Sequence, residues 1–494
     1  MIRLTARLCT GAALVGMLSA CGGGGNGSSL LTPQPPGGIT GQQARSGLTA
    51  RIVGVGDSLT AGVQSNGLLG ATISPNPLGA GSPFPFIPDT QGHGYYALLW
   101  SQANGGADPL NPAISPLPLI APPGLGQLLV PSSSGGLTSI LPSACSGPNI
   151  AAQSLSTAPS TRINPSAVPL DVAIPGQTMH EALAQIGPTG PCNASALPAP
   201  FSGLASLLAS ENTDFYPILG NFGAGTQVDD AVKLRPTLAV VWLGSNDLLK
   251  YAFSNGALAA TDPASLESDL EAIVRRLQGA GARVAVANLV DVTNAATFVH
   301  VSALPQALMA SGVPAALAPT VAAGVQAFLQ AQFGLGPAAL LTLSGAQKVL
   351  GAVKVALTQG VPLSAALAAA RLSPSGDFVT DAVATQTASL NAAYNVQIGT
   401  AVSRTGAALA DVHALFAQIE ANGGYYPLPS NPKCCSLAYG GGFFSLDGLH
   451  PSNTGYAILA NVFIAAIDRS FTANIPPLGA AQIATINAQD PYSP

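Results

Sequence analysis

The chain has 494 residues, with 17 Lys or Arg against 22 Asp or Glu, for a formal net charge of −5. Charged residues make up 8% of it, where an ordinary soluble domain carries roughly 25%. Disorder along the whole length is excluded because 48% of the residues are hydrophobic, a nucleic-acid binder because there is no basic excess, and a coiled coil because of the 56 Gly and 42 Pro. What remains is either a membrane span or a soluble body of unusually apolar make.

Arg3 and Arg7 precede an apolar run from Cys9 to Leu18. That run falls far short of the roughly twenty residues a spanning helix needs, so it reads as an export signal over 1–20. It ends in Leu18-Ser19-Ala20-Cys21, which resembles the bacterial lipobox, where the chain is cut before a Cys that is then lipidated. Gly22 to Gly25 and the Asn, Ser, Pro and Gly that follow, to about residue 48, have no means of forming a core and read as a flexible tether. Acylated Cys21 would hold the folded body just off a membrane. The implied location is the cell envelope. Gly rather than Asp at residue 22 leans toward the outer membrane if the source is Gram-negative. Which membrane face it occupies stays open.

With Cys21 acylated, Cys145, Cys192, Cys434 and Cys435 remain, enough for two disulfides in any of three pairings. A zinc site is the rival reading, but no CxxC or nearby His supplies ligand spacing, so no metal is expected.

Strand-like and helix-like stretches then alternate. Short apolar runs at Arg51 to Val55, Leu170 to Ile174, Leu238 to Leu243, Arg283 to Val292 and Ala408 to Val412 fit strands buried on both faces of a parallel sheet. Pro263 to Gln278 places Leu266, Leu270, Ile273, Val274 and Leu277 at helical spacing, with Gly279 as a stop. Tyr456 to Ile467 also reads as a helix. This is an α/β pattern with helices on both faces, one domain over 49–472 followed by a tail at 473–494. Two insertions interrupt it. The first, about 62–168, is rich in Gly, Pro and Ser, with one helical piece near His93 to Ala103. The second, about 294–375, is Ala- and Leu-rich and reads as helical. From Val292 to Gln347 there is no Asp, Glu, Lys or Arg, but Pro305, Pro314, Pro319 and Pro337 break this stretch into pieces too short to span a bilayer.

Four short motifs sit at strand ends or in loops. Gly56-Asp57-Ser58-Leu59 puts a hydroxyl where α/β sheets place reactive groups, though Asp and Ser also suit an ordinary turn and helix cap. Pro175-Gly176 offers a backbone N–H at close approach. Gly244-Ser245-Asn246-Asp247 follows the strongest strand, and an Asn amide there can donate toward a developing oxyanion. Asp247 could instead cap the following turn. Asp447-Gly448-Leu449-His450 spaces an acid to hold an imidazole in one tautomer, leaving Nε2 to act as base. His93, His180, His300 and His413 show no such spacing.

In this order the four blocks resemble the SGNH, or GDSL, hydrolase family: Ser58, Gly176, Asn246 and His450 complete its Ser–Gly–Asn–His signature. The resemblance covers the sheet and its loops but neither insertion. It implies a flavodoxin-like three-layer α/β sandwich around a central parallel sheet. It further implies Ser58 as nucleophile, His450 as base then acid, Asp447 as orienting acid, and an oxyanion hole of the Ser58 N–H, the Gly176 N–H and the Asn246 side chain. The expected substrate is a small-molecule or lipid ester, cleaved by a monomer that needs no cofactor and meets the membrane only through its N-terminal anchor. An acetyl esterase acting on polysaccharide and a surface lipoprotein with a vestigial site are the alternatives.

Overall fold

The computed structural model describes residues 47–74, 86–122, 124–126, 129–131, 137–139, 162–164, 167–187, 225–374, 376–424, 426, 428 and 434–492. The signal, most of the tether, Cys21, Cys145 and Cys192 lie outside these residues.

The centre is a parallel sheet of four strands: β1 (Ile52–Gly56), β2 (Leu238–Trp242), β3 (Arg283–Ala287) and β4 (Ala408–Ala410), in the order β1-β2-β3-β4. β1 and β2 are buried along their whole lengths, as sheets covered on both faces require. The remaining apolar run, Leu170 to Ile174, is an extended segment rather than a regular strand. It lies along the outer edge of β1, with a parallel bridge between Gly54 and Asp171. Its ladder to β1 runs through Gly54 N to Leu170 O, Val172 N to Gly54 O and Ile174 N to Gly56 O, each at 3.0 Å. The approach is close because residue 54 is Gly: a Cβ there would lie 3.0 Å from both Asp171 Oδ1 and Tyr96 Cδ2. With chain neighbours leaving β1 on both edges, the ends of β1 and β2 form a topological switch point, where open α/β sheets leave a crevice.

The helices pack on both faces. α1 (Ser58–Ala61), α2 (Tyr95–Ala103), α3 (Met179–Ala184), α4 (Gln227–Lys233), α5 (Ser245–Phe253) and α6 (Pro263–Gly279) precede β3. α6 starts where the sequence predicts: Asp262 caps it by accepting from Ser265 N at 3.0 Å, Pro263 opens it, and the five predicted apolar residues are its buried ones. Each buried Leu or Ile stabilises by about 1.5–3 kcal/mol. Buried Gln227 of α4 donates to Gly56 O at 2.7 Å and Val172 O at 2.9 Å, joining β1 to the edge segment.

The second insertion builds its own core. Phe298–His300, Leu340–Thr342 and Phe378–Val379 form a small antiparallel sheet. Around it stand α7 (Leu304–Ala310), α8 (Ala318–Phe333), α9 (Leu343–Gln359) and α10 (Leu363–Ala369). Leu304, Leu308, Val325, Leu329, Leu341 and Val349 are buried there, in a cluster separate from the main core. The helical expectation omitted this sheet because its strands are two or three residues long, too short to show a period of two.

Beyond it, α11 (Asp381–Thr405) packs on α6, and α12 (Val412–Ala421) follows β4. α13 (Asn453–Phe471) lies against α2, β3 and β4. The stretch 473–494, expected as a tail, contains α14 (Ala480–Gln489), which packs on α13. Tyr95 of α2 stacks on Phe463 of α13 at 4.4 Å between ring centroids and meets Trp242 of β2 edge-on at 5.4 Å. Among the described residues, no helix is long and apolar enough to cross a membrane.

The stacked trio predicts a stability effect. Phe463 is fully buried, and Phe463→Ala is expected to cost about 3–5 kcal/mol. The check is the urea midpoint, and a loss under about 1 kcal/mol would mean the cavity collapses without cost.

Candidate active site

Ser58 is the first residue of α1, directly after β1, and is 6% exposed. Asp57 caps the helix by accepting from Leu59 N at 3.0 Å. As the first helical residue, Ser58 has an N–H of the kind a helix start leaves without an intrahelical acceptor. Gly176, at φ 78, turns the chain after the edge segment. Gly244, at φ 114, does the same after β2 and opens α5, whose second residue is Asn246.

The structure brings these blocks together through side chains. Asn246 Nδ2 donates to Asp57 Oδ2 at 3.0 Å and to the Gln177 carbonyl at 3.1 Å. The Asp57 carboxyl is buried, which pushes its pKa up to about 7 against the Leu59 hydrogen bond and the His450 charge. Asp247 does not serve as a local cap. It accepts from Met179 N at 3.0 Å and Thr261 Oγ1 at 2.5 Å, fastening α3 to α5, and burial raises it to about 6. The expected oxyanion donor therefore already has two protein acceptors, because Asp57 and Gln177 converge on the same amide.

Asp447 and His450 form the second half of the site. His450 Nδ1 lies 2.8 Å from Asp447 Oδ2, and both side chains are buried. Asp447 Oδ1 also accepts the backbone N–H groups of Leu449 and His450, each at 2.8 Å. Burial works against its ionisation, but the His450 charge and these hydrogen bonds outweigh burial and hold its pKa below the usual range. Gly448 sits at φ 68 and its carbonyl accepts from Thr297 N at 2.7 Å. A Cβ at Gly448 would come within 2.6 Å of that nitrogen, so the loop lies flush against the root of the second insertion.

Ser58, Asn246 and His450 line one cavity. Its other walls are mainly apolar: Leu249 from α5, Val290, Val292 and Ala295 from the loop after β3, Phe416 from α12, and Phe444 and Leu449 from the loop carrying Asp447. Gly176 is joined to this cavity indirectly, through the Gln177 carbonyl beside Asn246.

Sequence spacing missed several supports. Asn66 N donates to Asp447 Oδ2 at 2.7 Å, and Ser65 N donates to Ser445 Oγ at 2.8 Å, so the chain just after α1 braces the acid. These partners lie about four-fifths of the chain apart and carry no local signal. His93 is a second buried histidine with an acid, Asp89, whose Oδ2 is 3.1 Å from Nδ1. Burial works against a charge on His93, but Asp89, with Asp490, outweighs it and raises its pKa. The i,i+4 spacing was the available signal, yet His93 does not line the Ser58 cavity. His180, in turn, pairs with Asp269 on the surface. Cys434 and Cys435 are bridged to each other and fully buried. Among the described residues, no group of three or more His, Cys, Asp or Glu is placed to hold a metal.

An open parallel sheet with its crevice at the switch point between β1 and β2 is the framework of the SGNH-type α/β fold. The chain belongs to the GDSL-like lipase/acylhydrolase family, whose model matches residues 171–463, and its general class is ester hydrolase. The matched span contains Gly176, Asn246, Asp447 and His450 but not Ser58, which joins them through the fold. Comparisons with curated proteins and with solved structures gave no match.

Asp171, in the edge segment beside β1, yields a pH prediction. Burial pushes its pKa up to about 8, whereas an unfolded Asp ionises near about 4. The folded state thus holds the extra proton between these values, and stability falls as pH rises through that window. Asp171→Asn removes this contribution, so its denaturation midpoint should gain on the wild type as pH goes from about 5 to about 8. Parallel curves for the two proteins would show that Asp171 does not titrate there.

Proposed function

We propose that this protein is a serine carboxylic ester hydrolase acting on acyl esters, including lipid esters, and held at the cell envelope through lipidated Cys21. The observation that carries the reading is the single cavity in which Ser58, Asn246 and His450 face a mainly apolar wall. Such a wall suits a hydrocarbon chain. The envelope assignment is supported by the N-terminal run and its Cys, as the sequence stands.

The chemistry follows from the pairings. Asp447 fixes the His450 tautomer and stabilises the imidazolium, and His450 Nε2 takes the Ser58 proton as Oγ attacks the ester carbonyl. The tetrahedral oxyanion is met by the Ser58 and Gly176 N–H groups and by Asn246, which turns one amide hydrogen from a protein acceptor to the substrate. Asp57 suits that exchange. Burial pushes its pKa up to about 7, so it is partly protonated near neutral pH, and a neutral carboxyl is a weaker acceptor than a carboxylate. His450 then protonates the departing alcohol. Water repeats the sequence on the acyl-enzyme and releases the acid.

The test uses protein beginning after Cys21 and p-nitrophenyl esters of increasing acyl length. The wild type should hydrolyse them, including chains longer than acetyl, and Ser58→Ala should lose the activity. Equal rates in the two proteins would remove Ser58 as nucleophile. Activity confined to acetyl groups and acetylated glycans would move the reading to a polysaccharide deacetylase.

A second variant addresses the oxyanion donor. Asn246→Ala should lower kcat about 10²–10³-fold with little change in KM, the signature of a group used mainly in the transition state. A rise in KM at constant kcat would assign Asn246 to ground-state binding instead.

A further inference from the structure

The family match ends at residue 463, inside α13. The chain continues, turning at Thr472 (φ 55) and Asn474 (φ 56). It is fastened back to α13 by Leu478 N to Asn461 Oδ1 at 2.8 Å and Asn461 Nδ2 to Leu478 O at 2.9 Å. Ile475, Leu478, Ile483 and Ile486 are buried, so α14 is seated by apolar packing. This seat returns the chain to the N-terminal end of α13, three residues past His450.

There Asp490 accepts from Thr454 N at 2.8 Å and Thr454 Oγ1 at 2.7 Å. It is 6% exposed, and its pKa is raised by burial in spite of these bonds. Ser452, also within its reach, is the N-cap of α13: its Oγ accepts from Gly455 N at 3.1 Å and donates to Gly442 O at 2.7 Å. Tyr492 N donates to Asp490 Oδ1 at 3.0 Å, and the Tyr492 phenol lies beside Ser65. Ser65 in turn holds the other end of the loop, through Ser65 N to Ser445 Oγ at 2.8 Å and Leu446 N to Ser65 Oγ at 3.2 Å. The next residue, Asn66, donates to Asp447 itself. The C-terminal segment therefore touches the loop bearing Asp447 and His450 at both ends, at 452–454 directly and at 445–446 through Ser65.

We propose that Asp490 and Tyr492 form a strap that positions the Asp447–His450 pair over Ser58. They are positioning residues, because neither lines the cavity. The proposal rests on the hydrolase reading for its kinetic consequence and on the loop contacts alone for its structural one. Asp490 fixes the start of α13 and with it the backbone leaving His450. Tyr492 steadies Ser65 and through it the residues before Asp447. A loop loosened by a fraction of an ångström keeps its substrate cavity but loses alignment, and displacements of about 1 Å can cost about 10²-fold in rate.

The test measures kinetics and amide hydrogen exchange on Tyr492→Phe, Ser65→Ala, Asp490→Ala, Asp490→Asn and the double variant Ser65→Ala/Tyr492→Phe. Tyr492→Phe should lower kcat about 3- to 10-fold, and Asp490→Ala about 10- to 100-fold, with KM within about twofold of wild type. Asp490→Asn, which keeps an acceptor oxygen, should recover part of the loss. The double variant should be no worse than its more damaging single member, as expected when two groups act through one contact. Exchange of the Asn66, Leu446 and His450 amides should quicken in Tyr492→Phe while that of Leu238 to Trp242 stays unchanged. Unaltered kcat together with unaltered loop exchange overturns the strap, as does a uniform rise in exchange across the sheet. If the wild type hydrolyses no ester, the hydrolase reading falls and the exchange data alone decide the strap.

Discussion

The site depends on β1 being paired in the same direction on both of its edges. β2 runs along one side and the 170–174 segment along the other, so three consecutive pieces of sheet deliver their C-terminal ends to one place. Ser58, Gly176 and Asn246 are each set within a few residues of such an end. The close approach at Gly54 and the two carbonyls gathered by Gln227 keep this arrangement narrow. Asp447 and His450 come from the far end of the chain, and their loop is fitted to that place by Asn66 on one flank and Thr297 on the other.

The framework was legible because it obeys local rules. Leu238 to Leu243 has no charge and belongs to a strand covered on both faces, and α6 carries its Pro and its apolar stripe in the expected places. The site residues could be found from strand ends and from the three-residue spacing between Asp447 and His450. What spacing could not supply was the network between segments. Asn246 gives both its amide contacts to residues from other blocks, Asp57 and Gln177, and Asp247 reaches Met179 instead of its own helix. Such contacts depend on how the strands are ordered, and no local period encodes that order. The Leu170 to Ile174 run was legible as extended chain but not as an edge with a single bridge, because hydrophobicity does not report which backbone groups find partners.

The scarcity of charge has a structural explanation. Much of it belongs to the second insertion, whose Ala, Leu and Val residues enclose a separate core around three short strands. Two cores in one chain need more interior than one, and interior residues are apolar. The second core also shapes the site. Val292 and Ala295, at its root, form part of the cavity wall, and Thr297 meets the loop carrying the histidine. An insertion outside the four family blocks thus helps set the width of the space beside Ser58.

The bridge between Cys434 and Cys435 has a different meaning from that of most disulfides. Cross-links usually act by withdrawing conformations from the unfolded chain, and the effect grows with the length of loop they close. Neighbouring residues, with Cα atoms 3.7 Å apart, enclose no loop to speak of, so almost nothing is withdrawn. Whatever this pair contributes must come from the native side, as two sulfurs sealed in the interior. From there the backbone continues through Ser436, which bonds to Gly441, into the turn that presents the acid and the imidazole. Its influence is therefore one of local shape, acting on the start of that turn and leaving the entropy of the chain as a whole nearly untouched.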